Sequence, residues 1–112
     1  MFTAVGYGTQ EAQTGGGPQE FPFDGERRFA GSEFKALNDA WLRLSQNEAT
    51  SDGGTCHGDS GGPNVLGAGA EETQIVASVT VTGDVPCFST KVTYRLDTAA
   101  ARDFLDDYVA VP

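Results

Sequence analysis

The chain has 112 residues and a formal net charge of −9, and 38% of its residues are hydrophobic. A chain of this length is predicted to form one domain, residues 1–112, around a single core. The acidic balance argues against nucleic acid or an anionic membrane as a partner. No run of about 18 apolar residues occurs, so no segment is predicted to span a bilayer. The 15 glycines and the scarcity of long helical patterns favour an all-β domain rich in turns.

The first half of the sequence contains three strand-like segments. Residues 2–8 (FTAVGYG) are rich in β-branched and aromatic residues, which predicts a strand and not a signal peptide. Residues 9–19, with GGGP at their centre, are predicted to form a surface loop. Residues 26–37 are moderately strand-like, and residues 41–45 (WLRLS) predict a short strand with two leucines on one face.

The second half ends in the clearest strand patterns and in a helix. Residues 74–82 alternate, with one face formed by Ile75, Ala77, Val79 and Val81 and the other by Val76, Ser78, Thr80 and Thr82. Residues 90–96 alternate in the same way and predict the last strand. After Asp97, the expected N-cap, apolar residues recur at helical spacing, at Ala101, Phe104, Leu105, Tyr108 and Val109. This stripe predicts a helix that packs against the sheet.

The motif GDSGGP at residues 58–63 points most directly to a chemical function. Glycines let the backbone turn sharply and leave room for another molecule to approach the Ser60 hydroxyl. Acyl transfer by serine requires a rigidly presented hydroxyl and N–H donors near the oxygen that becomes negative. The backbone amides of Gly58 and Ser60 are candidates for these donors. The motif therefore predicts a serine nucleophile, and the alternative is an ordinary glycine-rich turn that contains a serine.

Preceded by Cys56, this motif resembles the nucleophile segment of the chymotrypsin/trypsin-like serine proteases. The resemblance implies a six-stranded antiparallel Greek-key barrel of the trypsin-like type with a C-terminal α-helix, equivalent to the second of the family's two barrels. It implies a serine endopeptidase in which Ser60 is the nucleophile and the amides of Gly58 and Ser60 form the oxyanion hole. It also implies a disulfide between Cys56 and Cys87, which is typical of a secreted, extracytoplasmic protein.

The resemblance assigns substrate binding to two segments, Gly54, Thr55 and His57 before the nucleophile and Ser78, Val79 and Thr80 on the strand at 74–82. Gly54 falls where trypsins carry an acidic residue, which argues against cleavage after basic residues. Thr80 falls where the family usually has glycine, which favours small or modest apolar substrate residues. Asp59 matches a structural carboxylate that pairs with a new chain terminus in activated family members. The sequence lacks that terminus, so Asp59 is expected to be solvated or protonated, with a loosened loop.

A nucleophilic serine needs a base to accept its proton and a carboxylate to orient that base. His57 is the only histidine in the sequence. The resemblance places it at the rim of the substrate pocket and not beside the Ser60 hydroxyl. The family's catalytic histidine and aspartate belong to the first barrel, which this sequence does not include. The chain alone is therefore expected to be inactive.

Three interpretations remain open. The chain is the C-terminal half of a secreted serine endopeptidase, which we favour, or a non-catalytic peptide-binding pseudoprotease module, or the partner of a separate chain that supplies the base. The expected partners are a polypeptide substrate and either the first barrel or a second copy, because an isolated half exposes apolar surface. The spacing of cysteine and histidine matches no zinc or redox motif, so no metal or cofactor is expected.

Overall fold

The computed structural model describes residues 1–10, 16–18 and 20–111, so residues 11–15 and 19 of the predicted surface loop lie outside the described residues. The described chain forms seven β-strands and one short α-helix. These elements are β1 (Phe2–Gly6), β2 (Arg28–Ser32), β3 (Phe34–Leu37), β4 (Trp41–Ser45), β5 (Pro63–Leu66), β6 (Val76–Gly83), β7 (Thr90–Arg95) and α1 (Ala99–Leu105). Among the described residues, no helix is long and apolar enough to cross a membrane.

All seven strands belong to one antiparallel sheet in the order β2-β1-β5-β6-β7-β4-β3. The strands predicted at residues 2–8, 41–45, 74–82 and 90–96 are confirmed as β1, β4, β6 and β7. β2 and β3 occupy the two ends of the sheet order, yet only Glu33 separates them in the chain. This short connection brings the two ends of the sheet together.

The sheet has seven strands and not the expected six, because the segment predicted at residues 26–37 divides at Glu33. The Glu33 N–H donates to Asp52 Oδ1 at 2.9 Å instead of to a strand. The Glu33 carbonyl accepts the Ser45 N–H at 2.8 Å, and the Ser32 hydroxyl donates to Gly53 O at 2.7 Å. These bonds turn the chain from pairing with β1 to pairing with β4.

The inner face of the sheet is polar. In β6 the alternation places Ser78 and Thr80 inside, with 0% and 5% exposure, and leaves Val81 outside with 42%. The Asn64 side chain of β5 donates to Thr80 Oγ1 at 3.0 Å across this interior. The buried apolar side chains among the described residues are Ala4, Leu42, Leu44 and Ala101. Polar side chains therefore fill much of the space that aliphatic side chains usually occupy.

A C-terminal helix is confirmed, but it ends at Leu105, before Tyr108 and Val109 of the predicted stripe, and Asp97 is not its N-cap. The Thr98 hydroxyl accepts the Ala101 N–H at 3.2 Å and caps α1, while Asp97 pairs with Arg95 at 2.7 Å. The prediction was wrong because Thr98 occupies the cap position, and the Asp97 carboxylate accepts two hydrogen bonds from the Arg95 guanidinium instead. Ala101 is buried and Leu105 is partly buried, so these two residues form the packed face of the predicted stripe. Its other members are exposed, namely Phe104, Tyr108 and Val109.

An apolar groove of about 540 Å³ lies between α1 and the nearby end of the sheet. Its walls include Phe2 from the start of β1, Val76 from the start of β6 and Leu105 from α1. Phe34 and Ile75 also line the groove, and each is 55% exposed. Apolar surface at this end of the sheet is therefore open to solvent. Self-association through such surface stays a prediction.

Candidate active site

Ser60 lies on a tight turn between Cys56 and β5, which we call the nucleophile turn (residues 56–62). Gly58 and Gly61 in this turn have φ angles of +99° and +84°, which residues with a side chain rarely adopt. The Gly62 N–H donates to Asp59 O at 2.9 Å and closes the turn. Ser60 itself is exposed. The glycines thus permit a backbone that presents Ser60 to solvent.

Two hydrogen bonds fasten the nucleophile turn to β6. The Gly61 N–H donates to Thr80 O at 2.8 Å, and the Thr80 N–H donates to Gly62 O at 2.9 Å. A Cβ atom at Gly62 would lie 2.9 Å from Asp59 O and 3.1 Å from Val5 O, which is too close for a side chain without movement. The turn is therefore packed against both β1 and β6.

Asp59 is buried, with only 8% of the residue exposed. Its Oδ1 accepts the Gly8 N–H at 2.8 Å, and its Oδ2 accepts the Cys56 N–H at 3.0 Å. A Cβ atom at Gly6 would collide with this carboxylate, and one at Gly8 would lie 2.6 Å from its Cγ. The expectation of a solvated Asp59 on a loosened loop is therefore wrong, because backbone amides and two glycines enclose the carboxylate.

The predicted disulfide between Cys56 and Cys87 is present and spans 31 residues of sequence. It joins the nucleophile turn to the segment that follows β6. Asp84 orders this segment, because its carboxylate accepts the N–H groups of residues 88–90 at distances between 2.7 and 3.0 Å. Burial acts in the opposite direction, but these hydrogen bonds lower the pKa of Asp84 below its usual value. The second half-cystine thus lies on an ordered loop.

Among the described residues, three N–H groups of the nucleophile turn have no acceptor, namely those of His57, Gly58 and Ser60. Within the described part of the chain, neither the Gly58 N–H nor the Ser60 N–H donates a hydrogen bond. The Asp59 N–H between them donates to Cys56 O at 3.1 Å. Two available donors on either side of an occupied one are compatible with an oxyanion hole. That assignment stays a prediction.

His57 contacts groups other than Ser60. Its Nε2 lies 3.0 Å from Val85 O, and the Phe21 ring packs edge-on against the imidazole at a centroid distance of 4.8 Å. The ring also lies within 4.8 Å of both disulfide sulfurs, but a disulfide offers no thiolate, so this group is a poor metal site. Among the described residues, no base is hydrogen-bonded to the Ser60 hydroxyl. Within the described chain, the turn thus presents a hydroxyl to which no base is bonded.

Gly54 and Thr55 line a cavity of about 190 Å³ beside the nucleophile turn. The buried Gln46 accepts the Thr55 N–H through Oε1 at 3.2 Å, and a Cβ atom at Gly54 would collide with the Gln46 side chain. Asp52 and Asp59 also line this cavity, so its lining includes two acidic residues as well as Gly54. The role of Gln46 could not be predicted, because the strand pattern ends at Ser45 and does not indicate which way the next side chain points.

The substrate-binding residues predicted on β6 do not line this cavity. Ser78 and Val79 pair with β5 on one side and β7 on the other, and both backbone polar groups of Thr80 bond to the nucleophile turn. The residues after them, Val81–Gly83, are exposed. Val81 lies at a β-bulge in the pairing of β6 with β7, and Thr82 and Gly83 pair only with β7 among the described strands. The open backbone edge near Ser60 therefore begins at Val81. The alternation of side chains along β6 does not indicate where β5 stops pairing with it, so the sequence could not predict this edge.

Comparison of the chain with protein-family models, with curated proteins and with solved structures finds no match in any of the three. The interpretation of the site therefore depends on the geometry of the nucleophile turn and on the resemblance of its motif.

Proposed function

We propose that this chain carries the nucleophile of a trypsin-like serine endopeptidase and that Ser60 is that nucleophile. The observation that carries the proposal is the exposed Ser60 on a turn whose Gly58 and Ser60 amides are free of other hydrogen bonds in the described chain. The buried Asp59 carboxylate, the disulfide and two bonds to β6 hold this turn in one conformation. Fixed donors cost no reorganisation when charge develops on a substrate oxygen.

In the proposed reaction, Ser60 Oγ adds to the carbonyl carbon of a peptide bond and its proton passes to a base. The carbonyl oxygen becomes an oxyanion, which the amides of Gly58 and Ser60 stabilise. Collapse of this intermediate breaks the C–N bond, and the departing amine takes the proton from the base. Water then adds to the Ser60 ester and releases the carboxylic acid, which restores the hydroxyl.

The proposed substrate is an extended polypeptide that adds as a strand to the edge at Val81–Gly83. This edge is the backbone that β5 leaves unpaired, and it continues directly from Thr80, which contacts the nucleophile turn. Thr80 is buried and Val81 is 42% exposed, so Val81 is the residue that would limit the size of a substrate side chain bound at this edge. The preference for small substrate side chains, which the sequence attributes to Thr80, is therefore attributed to the neighbouring residue Val81.

The finer fold assignment belongs to the same proposal. A Greek-key barrel of the trypsin-like type is supported by the meeting of both sheet ends at Glu33 and by α1 after the last strand. The disulfide supports an oxidising, extracytoplasmic location, because such bonds persist there.

The base and the orienting carboxylate come from outside the described residues, because no described side chain is bonded to the Ser60 hydroxyl. A first barrel or a separate chain would supply them. The same observation favours a second candidate, a non-catalytic module that holds a peptide along Val81–Gly83 without cleaving it.

A fluorophosphonate probe tests the proposal, because an activated serine displaces its fluoride and keeps the phosphonyl group. We expect the protein isolated from its native source to be labelled on Ser60, as located by mass spectrometry of its peptides. Ser60→Ala should lower labelling at least about tenfold, since the nucleophile supplies most of the rate. Ser89→Ala, which alters another exposed serine near the disulfide, serves as the matched control.

Absence of labelling on the native protein, under conditions that label trypsin, would eliminate the endopeptidase. Binding of an extended peptide to Ser60→Ala, with chemical-shift changes at Val81–Gly83, would then identify the peptide-binding module. Absence of both labelling and binding would reject both candidates.

A further inference from the structure

The disulfide and His57 bring three metal-ligating side chains together, although Cys56 and Cys87 lie 31 residues apart in the chain. The two sulfurs and a ring nitrogen of His57 all lie within 4.8 Å of one another. Tetrahedral zinc, with Zn–S bonds of about 2.3 Å and Zn–N bonds of about 2.1 Å, places its ligand atoms about 3.5–3.8 Å apart. The fold therefore brings two cysteines and a histidine close to the spacing of a zinc site, which their sequence positions do not indicate.

A backbone carbonyl orients the His57 ring beside the two sulfurs. The Nε2 atom of His57 lies 3.0 Å from Val85 O, and the same oxygen lies 3.9 Å from Cys87 Sγ. A carbonyl only accepts hydrogen bonds, so the neutral ring donates one N–H to it and retains a lone pair on its other nitrogen. Histidines that bind metals usually donate their second ring nitrogen to a carbonyl or carboxylate in this way. Val85 O thus fixes the ring next to Cys87.

Contacts other than the disulfide also hold the backbone of both cysteines. The Cys56 N–H donates to Asp59 Oδ2 at 3.0 Å, and Cys56 O accepts the Asp59 N–H at 3.1 Å. The Cys87 N–H donates to Asp84 O at 2.9 Å. The two positions therefore stay close together when the sulfur–sulfur bond breaks. Both cysteines are partly exposed, and exposed disulfides are the ones that reductants reach most readily.

We propose that reduction of the disulfide converts Cys56, His57 and Cys87 into a zinc site. A dithiol gives two electrons and two protons to the disulfide and is itself oxidised to a disulfide, which leaves a thiol on each cysteine. Zinc then binds both sulfurs as thiolates and His57 through its lone pair, and the two thiol protons pass to solvent. Water takes the fourth position. The metal replaces the disulfide as the link between the nucleophile turn and the segment that follows β6.

Titration of the metal-free chain with cobalt(II) in a phosphine reductant tests the proposal, because cobalt accepts the geometry of zinc and is coloured. We expect thiolate-to-cobalt charge-transfer bands and the strong visible bands of tetrahedral cobalt, both lost when zinc displaces the cobalt. His57→Ala should weaken binding at least about tenfold, the least that loss of a group supporting a metal ligand usually costs. The disulfide form should give no such bands, since it offers no thiolate. Ser89→Ala, a matched control that alters an exposed serine near Cys87, should bind as the native chain does.

A second measurement applies if reduction weakens the fold. Zinc should raise the urea midpoint of the reduced chain, because it binds the folded state, and should raise it less in reduced His57→Ala. The disulfide form should show no rise. Absence of the charge-transfer bands, equal cobalt affinity in His57→Ala, or a midpoint that zinc leaves unchanged would each overturn the proposal. Neither measurement uses the Ser60 hydroxyl, so this proposal and the proposed function fail independently.

Discussion

Strands β1 and β6 have different surroundings at their two ends. At one end, β1 and β6 meet the nucleophile turn, where Gly8, Asp59 and Thr80 each bond to a defined partner. At the other end, the same two strands open onto the apolar groove, where residues such as Phe34 and Ile75 remain more than half exposed. Hydrogen bonds stabilise the end at the nucleophile turn, whereas the end at the groove consists mainly of apolar side chains that are partly exposed to water.

This difference shows where substitutions are expected to matter. A hydrogen bond or a glycine in contact with a buried carboxylate has no substitute when it is removed, because the remaining group loses its partner. An apolar side chain that is already half in water loses little when it changes. Stability should therefore be sensitive at the nucleophile turn and tolerant at the groove.

Removal of the disulfide tests the first end most severely. We expect Cys56→Ala/Cys87→Ala to lower the free energy of unfolding by roughly 3–4 kcal/mol, because the unfolded chain regains the freedom of a long loop. Urea denaturation measures this loss. A reductant should destabilise the native chain by a similar amount and leave the double variant unchanged. A loss below about 1 kcal/mol would contradict this expectation, because the disulfide would then restrict the unfolded chain very little.

Substitution of Gly8 tests the space around the buried carboxylate. A methyl group there would lie 2.6 Å from Asp59 Cγ. We therefore expect Gly8→Ala to destabilise the protein by about 1–3 kcal/mol, as overpacking usually does. Gly16→Ala is the matched control, because no described residue beyond its neighbours in the chain lies within 4 Å of its added carbon. Equal unfolding midpoints for the two variants would contradict the enclosed position of Asp59.

A charge in the apolar groove should have the smallest effect on stability. Ile75 is 55% exposed, so Ile75→Asp is expected to change the free energy of unfolding by no more than about 0.5 kcal/mol. It should nevertheless reduce the fluorescence of a bound apolar dye and any self-association seen by sedimentation. Ala70→Asp adds the same charge outside the groove lining and should leave both unchanged. If the native chain binds no dye, the groove is not the open apolar surface described here.

Much of the fold could be predicted because the signals are local. Alternation within a few residues was sufficient for β4, β6 and β7, and a stripe at helical spacing was sufficient for α1. The division of the chain at Glu33 could not be predicted in this way, because it depends on Asp52. The cap of α1 was misassigned for a similar reason, since Arg95 competes for Asp97.

The same distinction applies to the candidate site. A motif of adjacent residues specifies the glycine turn around Ser60, since steric limits on φ act within one residue. The surroundings of Asp59 depend on Gly8, which is 51 positions away and whose N–H donates to the carboxylate. The open edge at Val81–Gly83 depends on where β5 stops pairing.

The sequence by itself therefore determined the strands β1, β4, β6 and β7, the turn at Ser60 and the pair of cysteines that are joined. Only the tertiary structure decided which charges are buried together, which amides remain free and which strand edge is open. The physical reason is the distance along the chain over which each interaction acts. Propensity and steric constraint act between neighbours in the chain, whereas burial, charge pairing and strand register depend on groups that folding brings together.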